Sequence, residues 1–268
     1  MNAQLWPRRL DLGDAVRAEW VKLRTAPGFV WMLFVIIAVT VGLGVAAAAA
    51  TAACPTGSCA ADPVKTSLTG IDLGQAVVAV LAVLVIGGEY TTGMIRITLT
   101  AIPRRGVVLT AKAAVLLVVV SAAAVPAVVA SLIAGRLILP AEHGADGAAA
   151  WSLLDGPTVR AAAGSVAYLV LIALLSLFVG TAVRDSAVAI GVVLGLLYLF
   201  PIITSAVSDP EWHRRLEQVA PMTAGQAIES TTRIGSLPIG PWAGLGVLAL
   251  WTAGTWLIGG LLLHRRDA

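Results

Sequence analysis

Long apolar stretches separated by short clusters of charge set the rhythm of this chain. No Asp, Glu, Lys or Arg interrupts Pro27 to Ala61, Leu73 to Gly88, Ala113 to Gly135, Ala161 to Val183, Ser186 to Ser208 or Ile234 to Leu263. A helix of about 20 mostly apolar residues crosses a bilayer, and a charge at its centre costs about 2.5–3.5 kcal/mol, so each interval accommodates one span. The pattern predicts an all-α membrane protein: one transmembrane domain over 1–268 with six transmembrane helices, at about 28–51, 71–90, 112–135, 160–183, 186–207 and 241–263.

The segment ahead of the first span has a different period. In "DLGDAVRAEWVKLRT", Leu12, Val16, Trp20 and Leu23 recur at helical spacing, while Asp14, Arg17, Glu19 and Lys22 fall elsewhere around the helix. This predicts an amphipathic helix over about 11–25 lying in the membrane interface, anchored by Trp20, with Lys22 and Arg24 suited to the negative end of its dipole. Toward the other end, Asp209 to Pro241 mixes polar and apolar residues with prolines, which predicts short surface helices over about 211–219 and 222–230. Pro126 and Pro201 sit within spans, where each removes a backbone hydrogen bond and kinks or ends its helix. Gly191 and Gly195 form a G-x-x-x-G pair that allows close approach of helices, either within one subunit or at a dimer seam.

Composition agrees with the pattern. Of 268 residues, 58% are apolar and 12% charged, with a mean hydropathy of +0.90, which excludes an ordinary soluble domain. The net charge of +3 reads as topology rather than a nucleic-acid footprint, because twelve of the 18 basic residues fall on one side of the predicted spans. That side holds both termini, which the positive-inside rule places in the cytoplasm of a multi-pass plasma-membrane protein. The first apolar run is too long and starts too late for a cleaved signal peptide, so the first span is expected to be retained. Cys54 and Cys59, in "CPTGSC", fall in the first outer loop, as a disulfide or as two unpaired thiols.

Catalytic chemistry is sparse. His143, His213 and His264 are scattered, and there is no H-E-x-x-H, G-x-S-x-G or G-x-x-x-x-G-K-[ST] motif, so we expect no catalytic residue, no metal site and no cofactor on this chain. No ionisable residue is expected at mid-depth, which disfavours an ion-driven carrier. Glu89 is the nearest, at the cytoplasmic end of the second span. It opens the most polar internal stretch, "EYTTGMIRITLTAIPRR", which Lys112 follows. After Gly93, a short helix with Ile95, Leu99 and Ile102 on one face would present a basic face at the cytoplasmic surface, or the stretch is simply a loop whose basic residues hold orientation.

Four segments in order, "AEWVKLRT", "EYTTGMIRITLTAIPRRGVVLTAKA", "TAVRDSAVAIG" and "VAPMTAGQAI", resemble the type 2 ATP-binding-cassette permeases, the six-span membrane subunits of ABC exporters. The resemblance implies that the stretch after the second span is a coupling helix docking on a separate ABC ATPase, with Glu89, Gly93, Leu99, Pro103, Arg104 and Arg105 in or beside the contact. It implies ATP and Mg on that partner, and a second permease, identical or a sibling, meeting this one along a seam that includes Gly191 and Gly195. Membrane lipid is the remaining partner, and nucleic acid is not one. The competing readings are a membrane anchor or regulatory subunit that moves nothing, and a transmembrane enzyme, which would need clustered reactive groups at one depth. After reduction, a membrane-impermeant thiol reagent is expected to label Cys54 or Cys59 from outside the cell; labelling from the cytoplasmic side alone would invert the topology.

Overall fold

The computed structural model describes residues 12–53, 62–102, 104–139 and 152–265, so Cys54, Cys59 and Pro103 lie outside the described residues. The described residues are 88% helical and include no strand. In order, the helices are α1 (Leu12–Thr25), α2 (Pro27–Ala52), α3 (Pro63–Leu68), α4 (Ile71–Thr91), α5 (Met94–Ala101), α6 (Arg105–Ile138), α7 (Gly156–Val183), α8 (Ser186–Ala206), α9 (Pro210–Val219), α10 (Pro221–Gln226) and α11 (Pro241–Arg265). Among the described residues, six segments are long and apolar enough to cross a membrane: α2, α3 with α4, α6, α7, α8 and α11.

The helix of the second span starts at Pro63, ahead of position 71. Asp62 sets that start: its carboxylate accepts from the amides of Val64 and Lys65 (3.1 and 3.2 Å), and Pro63 occupies the first helical position. A turn at residues 69–70 separates α3 from α4, and Asp72 lies in the first turn of α4.

α4 and α7 form the middle of the bundle, and α2, α8 and α11 are the least buried of the spanning helices. Lipid supplies no hydrophobic drive for helices to associate, so tight contact depends on small residues. Gly70 lies against the Thr40 carbonyl and Gly135 against the Ser67 hydroxyl, positions where a Cβ would collide with its neighbour. Both intramembrane prolines are accommodated: α6 runs through Pro126 and α8 through Pro201.

The stretch after α8 divides. α9 has no buried residue, as a surface helix requires, but α10 and the 3-10 turn Ala227–Glu229 enter the bundle. Ala224 and Ile228 are fully buried, Gly164 makes room for Ile228, and Gly225 lies on the ring of Tyr168. This hairpin is thus packed among α7, α8 and α11 and does not float at the surface.

Asp62 also holds the hairpin. Its carboxylate accepts from the Thr231 amide (2.5 Å), the Thr231 hydroxyl (2.7 Å) and the Thr232 amide (2.8 Å). Burial works against the Asp62 charge, but these donors outweigh it and hold the carboxyl below the ordinary aspartate value. A depressed value means that the contribution is complete above about pH 4 and fades as the pH falls through the folded value. Asp62→Ala is expected to lower stability by about 1–2 kcal/mol at neutral pH. Denaturant unfolding in detergent should show the gap closing in acid.

Candidate functional site

At the end of the bundle where α1 lies, four charged side chains from three helices close into a ring. Lys112 of α6 donates to Glu19 Oε2 of α1 (2.6 Å) and lies 2.8 Å from Glu89 Oε1 of α4. Lys22 of α1 donates to Glu19 Oε1 and to Glu89 Oε1, both at 2.8 Å. Each lysine therefore bridges both glutamates. Lys22 also donates to the Thr98 hydroxyl of α5 at 3.2 Å, which attaches a fourth helix.

The ring is dry. Lys112 is 1% exposed, Glu19 4% and Glu89 7%. Opposite charges at this spacing interact several times more strongly than in water, yet their desolvation cancels much of the gain. The arrangement holds because charges are matched two against two and their hydrogen bonds are short. For Lys22, which is partly open, burial disfavours the ammonium but the two carboxylates outweigh it and raise its pKa above the ordinary lysine value.

The burial of α1 reverses its amphipathic pattern. Ala15 and Glu19 face the bundle, whereas Leu12 and Trp20 are 50% and 43% exposed. An apolar stripe on an interfacial helix is satisfied by lipid, so Glu19 and Lys22 can turn inward while Asp14 and Arg17 stay exposed. Trp20, Leu23 and Arg24 edge an apolar groove that Phe29 and Val118 complete.

Between α4 and α5 the chain turns at Gly93, whose φ of +70° is left-handed, a conformation that costs other residues about 1–2 kcal/mol. The turn lets α5 fold back toward the ring. Ile95 is buried against the bundle, while Met94 is 43% exposed and Ile97 70%. Ile102 is half-buried, as the predicted apolar face requires. Leu99 belongs to α5, although its side chain is not among those described.

Arg104 and Arg105 stand apart from the ring. Arg104 is exposed at the start of α6, and the Arg105 guanidinium donates to the Leu263 carbonyl near the end of α11. Both line a groove of about 740 Å³ between α6 and α11, with Trp256 and Leu261 on its far side. On the other side of Glu89, the Arg184 guanidinium lies 5.8 Å from the centre of the Tyr90 ring, tying α4 to the turn between α7 and α8. Gly191 and Gly195 have open space around them and face away from the subunit core.

Of the residues singled out in the sequence, the ring thus unites Lys22 and Glu89, and Gly93 orients α5 beside it. Glu19, Lys112 and Thr98 complete it without having been selected. Lys112 carried a signal of its own: a lone lysine two turns inside an otherwise apolar helix is costly unless paired.

Lys112→Met leaves two buried carboxylates sharing one lysine and is expected to lower stability by about 3–5 kcal/mol. Adding Glu89→Gln should recover part of that loss, because the second change removes the uncompensated charge. Thermal unfolding of both variants in detergent measures the coupling, and strictly additive losses would mean that the two residues act independently.

A family model described as ABC-2 family transporter protein matches residues 15–202, which include the entire ring and α5. No curated protein matches the chain. With a match over more than half its length and six apolar helices long enough to cross a membrane, the chain belongs to the ABC-2 family of transporter membrane proteins.

Proposed function

We propose that the chain is the permease subunit of an ATP-driven exporter, forming its pathway with a second permease and driven by separate ABC ATPase subunits that carry the ATP and Mg. The observation that carries this reading is α5. It is a short helix at one end of the bundle that exposes Met94 and Ile97 on one side and is tied on the other, through Thr98 and Lys22, to the ring. An exposed apolar knob on a tethered helix is a handle. A partner that grips it moves α5 together with α1, α4 and α6, because the ring makes separation of those helices costly. Arg96 and Arg104, both exposed near the handle, would set orientation and selectivity toward an acidic partner surface.

The ring end is then the cytoplasmic end, in agreement with the charge asymmetry of the sequence. The second permease fits against α2 and α8. α8 presents Val188, Val192 and Leu199 on the same side as Gly191 and Gly195, and α2 presents Trp31 and Phe34. These stripes combine large anchors with small residues that admit a second backbone.

Purification of the tagged protein from its host in mild detergent is expected to bring down an ATPase subunit in near-equal amount. Ile97→Glu with Arg104→Glu should leave membrane insertion unchanged and reduce the co-purified ATPase at least several-fold. Recovery of the protein without an ATPase under several gentle conditions, or undiminished recovery with the double variant, would count against the handle.

A further inference from the structure

At the end of the bundle opposite the ion ring, the buried hairpin carries a carboxyl with no counter-ion. Glu229 is 3% exposed, and its Oε1 atom has no hydrogen-bond partner. No ion pair reaches it among the described residues. It sits on the turn that follows α10, enclosed by α3, α7, α10 and α11.

Most of the polar groups around the hairpin are committed elsewhere. Asp72 of α4, whose charge acts on Glu229, accepts from Gln226 Nε2 of α10 at 2.6 Å. Gln75 Oε1 accepts from the Tyr168 hydroxyl of α7, and the Tyr198 hydroxyl of α8 donates to the Asp72 carbonyl. Arg160 of α7 donates Nη2 to the carbonyl of Ser230, next to Glu229, at 2.5 Å, and its buried Nε has no hydrogen-bond partner. Asp62 is satisfied by Thr231 and Thr232. Among the described residues, Lys65 of α3 is the cation whose field favours the Glu229 charge, and α11 has no ionisable residue before His264. With the neighbouring oxygens occupied, the missing partner of the Glu229 carboxyl is the smallest one available.

We propose that Glu229 is a proton-binding site, and that the bound proton latches the hairpin of residues 220–231 into the bundle beside Asp72. Burial, and the Asp72 charge after it, both push the Glu229 carboxyl well above the ordinary glutamate range. Loss of the proton to water leaves a carboxylate with no counter-ion facing a second one, an arrangement relieved by withdrawal of the hairpin toward solvent. The latch extends beyond the transport reading and does not depend on an ATPase.

The linkage has a definite sign. A raised value in the folded state means that stability is full below the unfolded glutamate value, near pH 4.5, and declines as the pH rises toward the folded value. Glu229→Gln keeps the shape without the titration, so its stability should lose this decline and exceed that of the natural protein at high pH. Infrared spectra of the reconstituted protein at neutral pH should contain a protonated-carboxyl band that Glu229→Gln removes. Asp72→Asn, which removes the neighbouring charge, should shift the loss of that band to lower pH. A neutral-pH spectrum with no band dependent on Glu229, or a pH dependence of stability unchanged in Glu229→Gln, overturns the proposal. A band that titrates as before in Asp72→Asn removes Asp72 from the latch.

Discussion

Charges removed from water have to be satisfied by one another, and the ring of Glu19, Lys22, Glu89 and Lys112 is where this requirement shapes the molecule. Two glutamates and two lysines are held by donor–acceptor distances of 2.6–2.8 Å, with Lys112 almost wholly out of solvent. A matched pair in such a place adds little net stability over a well-packed apolar core. What it supplies is intolerance of separation: pulling any one helix away strands a charge. The ring therefore joins α1, α4 and α6 as one body, and Thr98 brings α5 into it. This is the mechanical property that the proposed drive from one end requires.

The spanning helices were legible because hydropathy over about 20 residues is a strong signal. The start of the second was hidden by Lys65 and Asp72, which read as the end of an apolar run. The capping pair Asp62 and Pro63 marks the start of α3, and the half-buried Asp72 in the first turn of α4 is held by Gln226. The amphipathic helix was legible as a helix but its inward face was not. The stripe pointed to the membrane interface, and Leu12 and Trp20 are exposed as such a helix requires, but nothing in the pattern marked Glu19 as the residue that faces the bundle.

Other parts of the site depend on contacts that one-dimensional patterns do not carry. Arg104 and Arg105 are adjacent in sequence, yet one is exposed and the other is drawn to the last turns of α11. The hairpin of α10 was expected at the surface because its composition is mixed. It enters the bundle through contacts of Ile228 with Gly164 and of Gly225 with Tyr168, partners distant in sequence. The two ends of the molecule solve the same electrostatic problem differently: one cancels buried charge with opposite charge, the other leaves Glu229 without a counter-ion.

The central claim is that the ring, more than the apolar contacts of α1, holds that helix against the bundle. Hydrogen–deuterium exchange of residues 12–25 in the natural protein and in Lys112→Met tests it most directly. The account predicts that α1 amides lose protection in the variant while those of α2, whose contacts do not involve the ring, keep theirs. Protection of α1 that survives the loss of Lys112 would show that lipid and packing alone seat the helix, and would contradict the claim.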